Sequence, residues 1–387
     1  MKTRTVFALL MLVPLAFMVG CPGTGPNGPG LPDYPNNPDD NPTAITFVTA
    51  GAEFAPVVTL EGEAEVLWNW SDGTTSTSPE PVKTFGSIME RKHTLKVTPW
   101  SAVRRINIGY DGQEGGTLGP EAYVPDQHVV SVSGLSLVAP SLREWCSSFN
   151  RIRSLNFSNF VRLELIECNS SQFLREVNLT NTPALTRACF EHCSLESLDL
   201  SGSPNLHDIR ASVNKYPTIT FGDTGASLRH VCLRDNGNLL NRTLFADCSR
   251  FPNFSELWIW GNRQIGTLSV PSSSKTGAVS ILAHHNFFNA ANLSGSLRNP
   301  GSLGRVELND NLLTAIDISG CVQITYLLLH NNLLPTAEVD EVLVELDRFG
   351  RRDGVVRLDG TGNAAPSQSG NAAAASLRAK GWTVQLN

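Results

Sequence analysis

Residues 303–324, LGRVELNDNLLTAIDISGCVQI, decide the fold. Leu303, Val306 and Leu308 are apolar at offsets of three and two, and Asn311 follows three residues on. Leu313, Ile316 and Ile318 carry the rhythm to Ile324, where it restarts. This spacing follows neither the period of a helix (about 3.6) nor that of a free strand (about 2) for more than a few positions. It suits short strands joined by tight turns, and self-similarity at 21 residues marks a solenoid.

With Leu303 as position one, the frame extends back to Leu142, Leu163, Leu185, Leu206, Leu228, Phe254 and Ala278, and forward to Ile324. The nine starts are 21 to 26 residues apart. Position four is Trp145, Ile166, Ala188, Ile209, Val231, Leu257, Ile281, Val306 and Leu327. Position nine is Asn150, Ser171, Cys193, Asn214, Asn236, Asn262, Asn286, Asn311 and Asn332, seven asparagines in nine, which composition alone does not produce. Each coil is expected to give one strand of a parallel sheet, strands about 4.8 Å apart, with positions one, four and six stacked inward. The turn after the strand strands buried N–H and C=O groups, and a carboxamide offers both a donor and an acceptor to meet them. Ser171 and Cys193 meet only part of that need, so the early coils are expected to be looser.

The pattern resembles the bacterial leucine-rich repeat class LxxLxLxxNxLxxLDLSxNxxL, which residues 185–206 and 303–324 follow almost position for position. The resemblance covers about 142–334. It implies short parallel strands and a broad outward sheet face of the kind this family uses for binding.

The chain begins MKTRTVFALLMLVPLAFMVGC. Lys2 and Arg4 precede an apolar run from Phe7 to Val19, too short to span a bilayer as a helix. Met18-Val19-Gly20-Cys21 resembles a bacterial lipobox, which implies a signal peptide over 1–20, a lipidated Cys21 and anchorage in the cell envelope, at the outer membrane or cell surface. A Pro/Gly-rich linker, 21–43, follows, of a composition that cannot bury a core. Residues 44–112 carry alternating apolar stretches with turn residues at short spacing, the mark of a small all-β sandwich. The segment from Trp68 through Trp70, Asp72 and Gly73 to Phe85 and His93 resembles the PKD group of Ig-like domains. Trp68 and Trp70 share a strand face and read as core, and the domain reads as a spacer. Residues 113–141 form a connector whose last apolar strand, 128–133, is expected to cover the first coil. After 142–334, residues 335–387 read as an α/β cap: a helix from Pro335 capped by Thr336 and ended by Gly350, a strand at 355–358, a helix at about 371–380, and a strand at 382–386.

Formal charge is −6, or −8 once Lys2 and Arg4 are removed (28 − 36), so the chain lacks the basic footprint of a nucleic-acid binder. Of the eight cysteines, Cys168, Cys193 and Cys321 read as small buried hydrophobes, whereas Cys146, Cys189 and Cys232 fall at the outward fifth position of alternate coils. Alternate coils lie about 10 Å apart, beyond disulfide reach, so free thiols are expected. Seven N-x-S/T triplets, Asn178-Leu179-Thr180 among them, matter for glycosylation only in a glycosylating host.

Outward residues of the later coils place Trp258, Trp260, Leu282, His284, Tyr326, Leu328 and His330 on one surface. Aromatic side chains with polar neighbours suit a protein or glycan partner, although a sheet face also takes aromatics as cross-strand packing. The expected function is therefore a non-catalytic recognition or adhesion surface; the alternative is a structural envelope lipoprotein with a fixed partner. A third reading, a metal-dependent enzyme using His284 and His330 with His285 and Asp310 nearby, has no nucleophile motif, phosphate loop or HExxH behind it. No cofactor is implied.

Overall fold

The computed structural model describes residues 42–109, 128–237, 240–270, 279–298 and 304–387. The signal segment, Cys21, most of the linker, residues 113–127 and the first-position residues Ala278 and Leu303 lie outside them. The described residues all fall in one compact unit.

Among the described residues the chain builds a solenoid around a thirteen-stranded sheet. Its coils contribute, in order, Glu144–Cys146, Leu165–Glu167, Arg187–Cys189, Asp208–Arg210, His230–Cys232, Glu256–Trp258, Ser280–Leu282, Gly304–Glu307 and Ile324–Leu328; these are coils 1 to 9 below. All pair in parallel with positions three, four and five aligned, as in Arg187↔Asp208, Ala188↔Ile209 and Cys189↔Arg210. The inward residues meet as the repeat requires: Leu185, Ile209, Leu233, Leu257, Ile281, Val306 and Leu327 are all 0% exposed. Truncating one such leucine to alanine costs about 2–5 kcal/mol.

The ninth-position asparagines close the turn behind each strand. Asn262 accepts from the Asn236 N–H at 2.8 Å and donates to the carbonyls of Leu233 and Ile259 at 2.7 and 2.8 Å. Asn286, Asn311 and Asn332 repeat the arrangement, each donating to the sixth-position carbonyls of its own and the preceding coil. Asn150 and Asn214 do the same in the early coils, and Asn236 accepts from Asn214 N–H and donates to Leu233. Ser171 and Cys193 supply the donor half, to the carbonyls of Ser147 and Cys168. One further rung, Asn363, lies in the C-terminal region, accepting from Leu334 N–H and donating to Leu329 and Leu358.

Position eight, just before this ladder, is left-handed in every coil: Phe149, Ser170, His192, Val213, Asp235, Gly261, His285, Asp310 and Asn331 have φ between +51° and +70°. The turn imposes this conformation on whatever residue arrives, including Phe149 and the β-branched Val213, for which it is strained.

The opposite corner is closed by a second column. Asn156, Asn178, Asp199, Asp247, Asn292 and Asp317 each accept, through Oδ1, from the N–H two residues on. Three of the N-x-S/T triplets, at Asn156, Asn178 and Asn292, are these Asx turns; their recurrence comes from folding.

The N-terminal region is all-β, with Trp68 and Trp70 buried and their rings stacked at 5.4 Å. Its reading as a spacer is corrected. Strand Val103–Asn107 pairs in parallel with coil 1, Arg105↔Glu144 and Ile106↔Trp145, and Val57–Leu60 pairs antiparallel on its far side. The large sheet and the hydrophobic core both run on into this region. Residues 128–133, expected to cover coil 1, pair antiparallel with Ile45–Thr49, and Val129 joins coil 1 by hydrogen bonds with Asn150 and Arg151. An apolar first coil needs a cover, and Val103–Asn107 provides it.

At the other end, Val355–Arg357 and Thr383–Gln385 add two parallel strands, backed by helices Thr336–Phe349 and Gln368–Ala379. Gly350 ends the first helix at φ +70°. Thr336 does not cap it as expected: Pro335 holds the cap position, and the Thr336 hydroxyl donates to Ala365 O. The second helix is capped by Ser367.

Candidate functional site: the outward sheet face

Alternation along each strand sends positions three, five and seven outward, so in-register pairing stacks them in three columns across the coils. In coils 1 to 5 these columns carry mostly charged or small side chains. Arg187 lies 3.8 Å from Glu167 and 3.5 Å from Asp208, and Arg210 lies 3.4 Å from Asp208. His230 sits between two carboxylates, 3.1 Å from Asp208 and 3.1 Å from Glu256. Arg234 pairs with Glu191 at 3.3 Å. Burial pushes the Asp208 carboxyl up, but the His230 contact and the two arginines outweigh it and hold the group below the usual carboxylate range.

Cys146, Cys189 and Cys232 sit at the outward fifth position on this face, yet they are at most 2% exposed. Long neighbouring side chains close over them; Arg105 reaches within 3.8 Å of Cys146 Sγ. Among the described residues the cysteines form no disulfide and are buried. Burial raises the Cys189 thiol to about 12 and that of Cys168 further, so they pack as inert hydrophobes.

Coils 6 to 9 differ. Trp258, Trp260, Leu282, His284, Tyr326, Leu328 and His330 are all half-buried. Trp258 meets His230 edge to face at 4.9 Å, and its indole N–H donates to Ser280 Oγ at 3.3 Å. Trp260 lies 6.3 Å from Trp258, stacks on His284 at 5.1 Å with planes 13° apart, and takes the Arg234 guanidinium at 5.1 Å. Arg234 comes from coil 5 and His284 from coil 7, so both faces of the Trp260 ring are covered. The Arg305 guanidinium lies 4.9 Å from the Tyr326 ring.

The predicted surface is therefore two groups. Trp258, Trp260, Leu282 and His284 occupy coils 6 and 7, and Tyr326, Leu328 and His330 occupy coil 9. Coil 8 separates them with Arg305 hydrogen-bonded to Glu307 at 2.6 Å, and with His284 3.4 Å from Glu307.

The four residues of the catalytic reading are near neighbours. His284 and His285 rings are 5.1 Å apart, and His285 Nδ1 is 3.7 Å from Asp310. Burial lowers the pKa of His284 and of His330. No three His, Cys, Asp or Glu side chains among the described residues converge to hold a metal ion. A groove of ≈ 510 Å³ lies away from this face, at the Asx-turn corner beside Asn156, Glu176, Asn178 and Asp199. The first, third and fourth of these already spend an oxygen on their own turns.

The eighth-position backbone and the Asn363 rung are missing from the sequence reading. The Asx corner had a usable signal, the recurring [DN]-x-[ST] triplet.

No protein-family model matches the chain, and no curated protein matches it. Among solved structures it is similar to the functional domain of InlJ from Listeria monocytogenes, described as including a cysteine ladder, at 18% identity and a TM-score of 0.49. That match covers 60% of this chain and 48% of the other, so the chain spans about half the length of that protein domain.

Proposed function

We propose that the outward sheet face of coils 6 to 9 is a non-catalytic protein-binding surface, on a protein held in a bacterial envelope by lipid at Cys21. The observation that carries this reading is the state of Trp260. A sugar ring binds tryptophan by lying on its face, and Arg234 and His284 already cover both. What the two tryptophans offer is half-buried edges in a rigid, in-register row, next to Leu282 and Leu328. Fixed aromatic edges with polar neighbours are the kind of anchor protein interfaces use, which favours a protein over a glycan. The charged side chains of coils 1 to 5 pair with one another across the strands, as Arg187 does with Asp208 and Arg234 with Glu191.

The test is a photo-crosslinking amino acid placed at Leu282 in coil 7 or at Arg187 in coil 3, in cells making the full chain. A discrete covalent adduct with a protein at Leu282 and none at Arg187 is expected; no adduct at Leu282 contradicts the reading. Anchorage is tested separately by labelled fatty acid, which should enter the wild-type chain and not Cys21→Ala. Protease shaving of intact cells then separates outward display from a fixed inward-facing role.

A further inference from the structure

Asp310 occupies the left-handed eighth position of coil 8, at the rim of the proposed surface. Most carboxylates of the strand face pair with arginine, Glu167 and Asp208 with Arg187, Glu191 with Arg234, Glu307 with Arg305 and Asp359 with Arg357, while Glu256 lies against the His230 ring. Asp310 is held differently. Asn309 Nδ2 donates to Oδ2 at 2.5 Å, and Asn331 Nδ2 donates to Oδ1 at 2.8 Å. Its one ion-pair contact among the described residues is His285, at 3.7 Å. Each carboxylate oxygen keeps a lone pair, and the side chain is 29% exposed.

A second observation bears on the same spot. Asn309 is 7% exposed, and its Oδ1 has no hydrogen-bond partner. The bond from Nδ2 to Asp310 fixes which end of the amide is oxygen, so a flipped amide does not remove the vacancy. His284 Nδ1 and His330 Nδ1, from the same seventh-position column in coils 7 and 9, are also buried without a hydrogen bond. Buried polar atoms are as a rule satisfied. Here an oriented carboxylate, a buried amide oxygen and the His330 imidazole nitrogen lie within two successive coils, whereas His284 Nδ1 faces the Glu307 carboxylate at 3.4 Å.

We propose that Asp310, with Asn309 and His330, receives an arginine side chain of the protein partner. This rests on the binding role proposed above and names its chemistry. A guanidinium carries five N–H donors in a planar fork that matches a carboxylate through two parallel bonds. Asn309 Oδ1 and His330 Nδ1 lie buried beside this carboxylate and would turn outward to take the remaining donors. Lysine, a point charge with no fork, fits the oriented carboxylate less well.

The test needs no partner. The full chain, labelled with ¹³C at histidine Cε1, is titrated with Nα-acetyl-arginine amide and with Nα-acetyl-lysine amide and followed by NMR. Saturable shifts of the His330 and His285 resonances are expected with the arginine probe, at an affinity several-fold above the lysine probe. Asp310→Asn keeps a residue that tolerates the left-handed backbone, and should lower arginine affinity about tenfold or more. Asp235→Asn, at the corresponding position of coil 5, should leave it unchanged. Absence of saturable shifts, or equal affinity in Asp310→Asn and wild type, overturns the proposal. Failure here with a crosslink retained at Leu282 would remove the arginine subsite and leave the protein-binding surface standing; the converse result would do the opposite.

Discussion

Coils 1 to 5 and coils 6 to 9 share one backbone and carry opposite kinds of surface. In the first group Arg187, Asp208, Arg210 and His230 contact one another, with His230 reaching on to Glu256 of coil 6, and three thiols lie buried beneath. In the second, the rings of Trp258, Trp260 and Tyr326 stand half-buried; polar atoms without a hydrogen bond occur in both groups, at Arg187 Nε and Arg234 Nε as at Asn309 Oδ1 and His330 Nδ1. The turns differ in the reverse sense, since the asparagine ladder is interrupted at Ser171 and Cys193 and unbroken from Asn214 onward. The regular scaffold thus lies under the open surface, and the closed surface lies over the incomplete ladder. A binding face gains from a rigid base, because little order is then lost on association.

The largest effect that would break this comparison is removal of the N-terminal cap. Deleting residues 42–109 takes away Val103–Asn107, the strand paired to coil 1. Hydrogen exchange should show loss of protection through coils 1 to 3, where the ladder is weakest, while coils 6 to 9 keep theirs. Uniform protection would mean that the region is a spacer after all.

Next is the ladder. Asn262→Ala removes an acceptor for one N–H and the donors to two carbonyls in a site 0% exposed. Urea denaturation should show a loss of about 3 kcal/mol, against about 1 kcal/mol for Ser171→Ala, which loses one donor. Equal losses would remove the distinction between the two halves.

Acid should separate the cap from the charged coils. His93 is buried between aromatic rings, accepts from Ser71 N–H and contacts Thr49 Oγ1 at 3.0 Å. Burial first, and then Arg91, depress its pKa to about 4. Protons therefore bind the unfolded chain first. Stability is expected to fall by up to about 3 kcal/mol as pH drops from about 6.5 to 4, and to level off below. Asp208, whose folded pKa is depressed below 3.8, acts in a lower window: its contribution is present above that value and is lost as pH falls through the folded pKa. Stability curves for His93→Gln and Asp208→Asn should lose the upper and the lower portion respectively; a single shared window would refute the assignment.

The smallest effect has the opposite sign. Val213 carries φ +55°, a conformation that costs a β-branched residue about 1–2 kcal/mol and asparagine less. Val213→Asn should raise stability by roughly 1 kcal/mol in thermal denaturation, while Asn331→Val at the equivalent place in coil 9 should lower it by a similar amount.

Much of this fold was legible because the repeat sorts its inward residues by one chemical demand each: apolar at one, four and six, carboxamide at nine. Other features demand no residue type. Position eight takes Phe149, Ser170, His192 and Asp310 alike because the turn, not the side chain, sets its backbone. The strand containing Ile106 reads as part of an ordinary sandwich, since nothing within it names a parallel partner some forty residues later. Asn363 escaped because the helix between coil 9 and the next strand breaks the register. At the candidate site, position numbers were enough to gather Trp258, Trp260, His284 and His330 on one face. They were not enough to show that Arg234 and His284 would cover Trp260, or that long neighbours would bury Cys146, because both depend on side-chain reach across strands.

The most direct test of the binding face is hydroxyl-radical footprinting of the protein on cells and in purified form, with oxidation read residue by residue. If the later coils meet a protein, Trp258, Trp260 and Tyr326 should be protected several-fold on cells, while Phe149 and Phe173 in the early coils, exposed at 41% and 44%, oxidise equally in both. Equal oxidation of the two tryptophans in both preparations, or protection centred on coils 1 to 5, would contradict it.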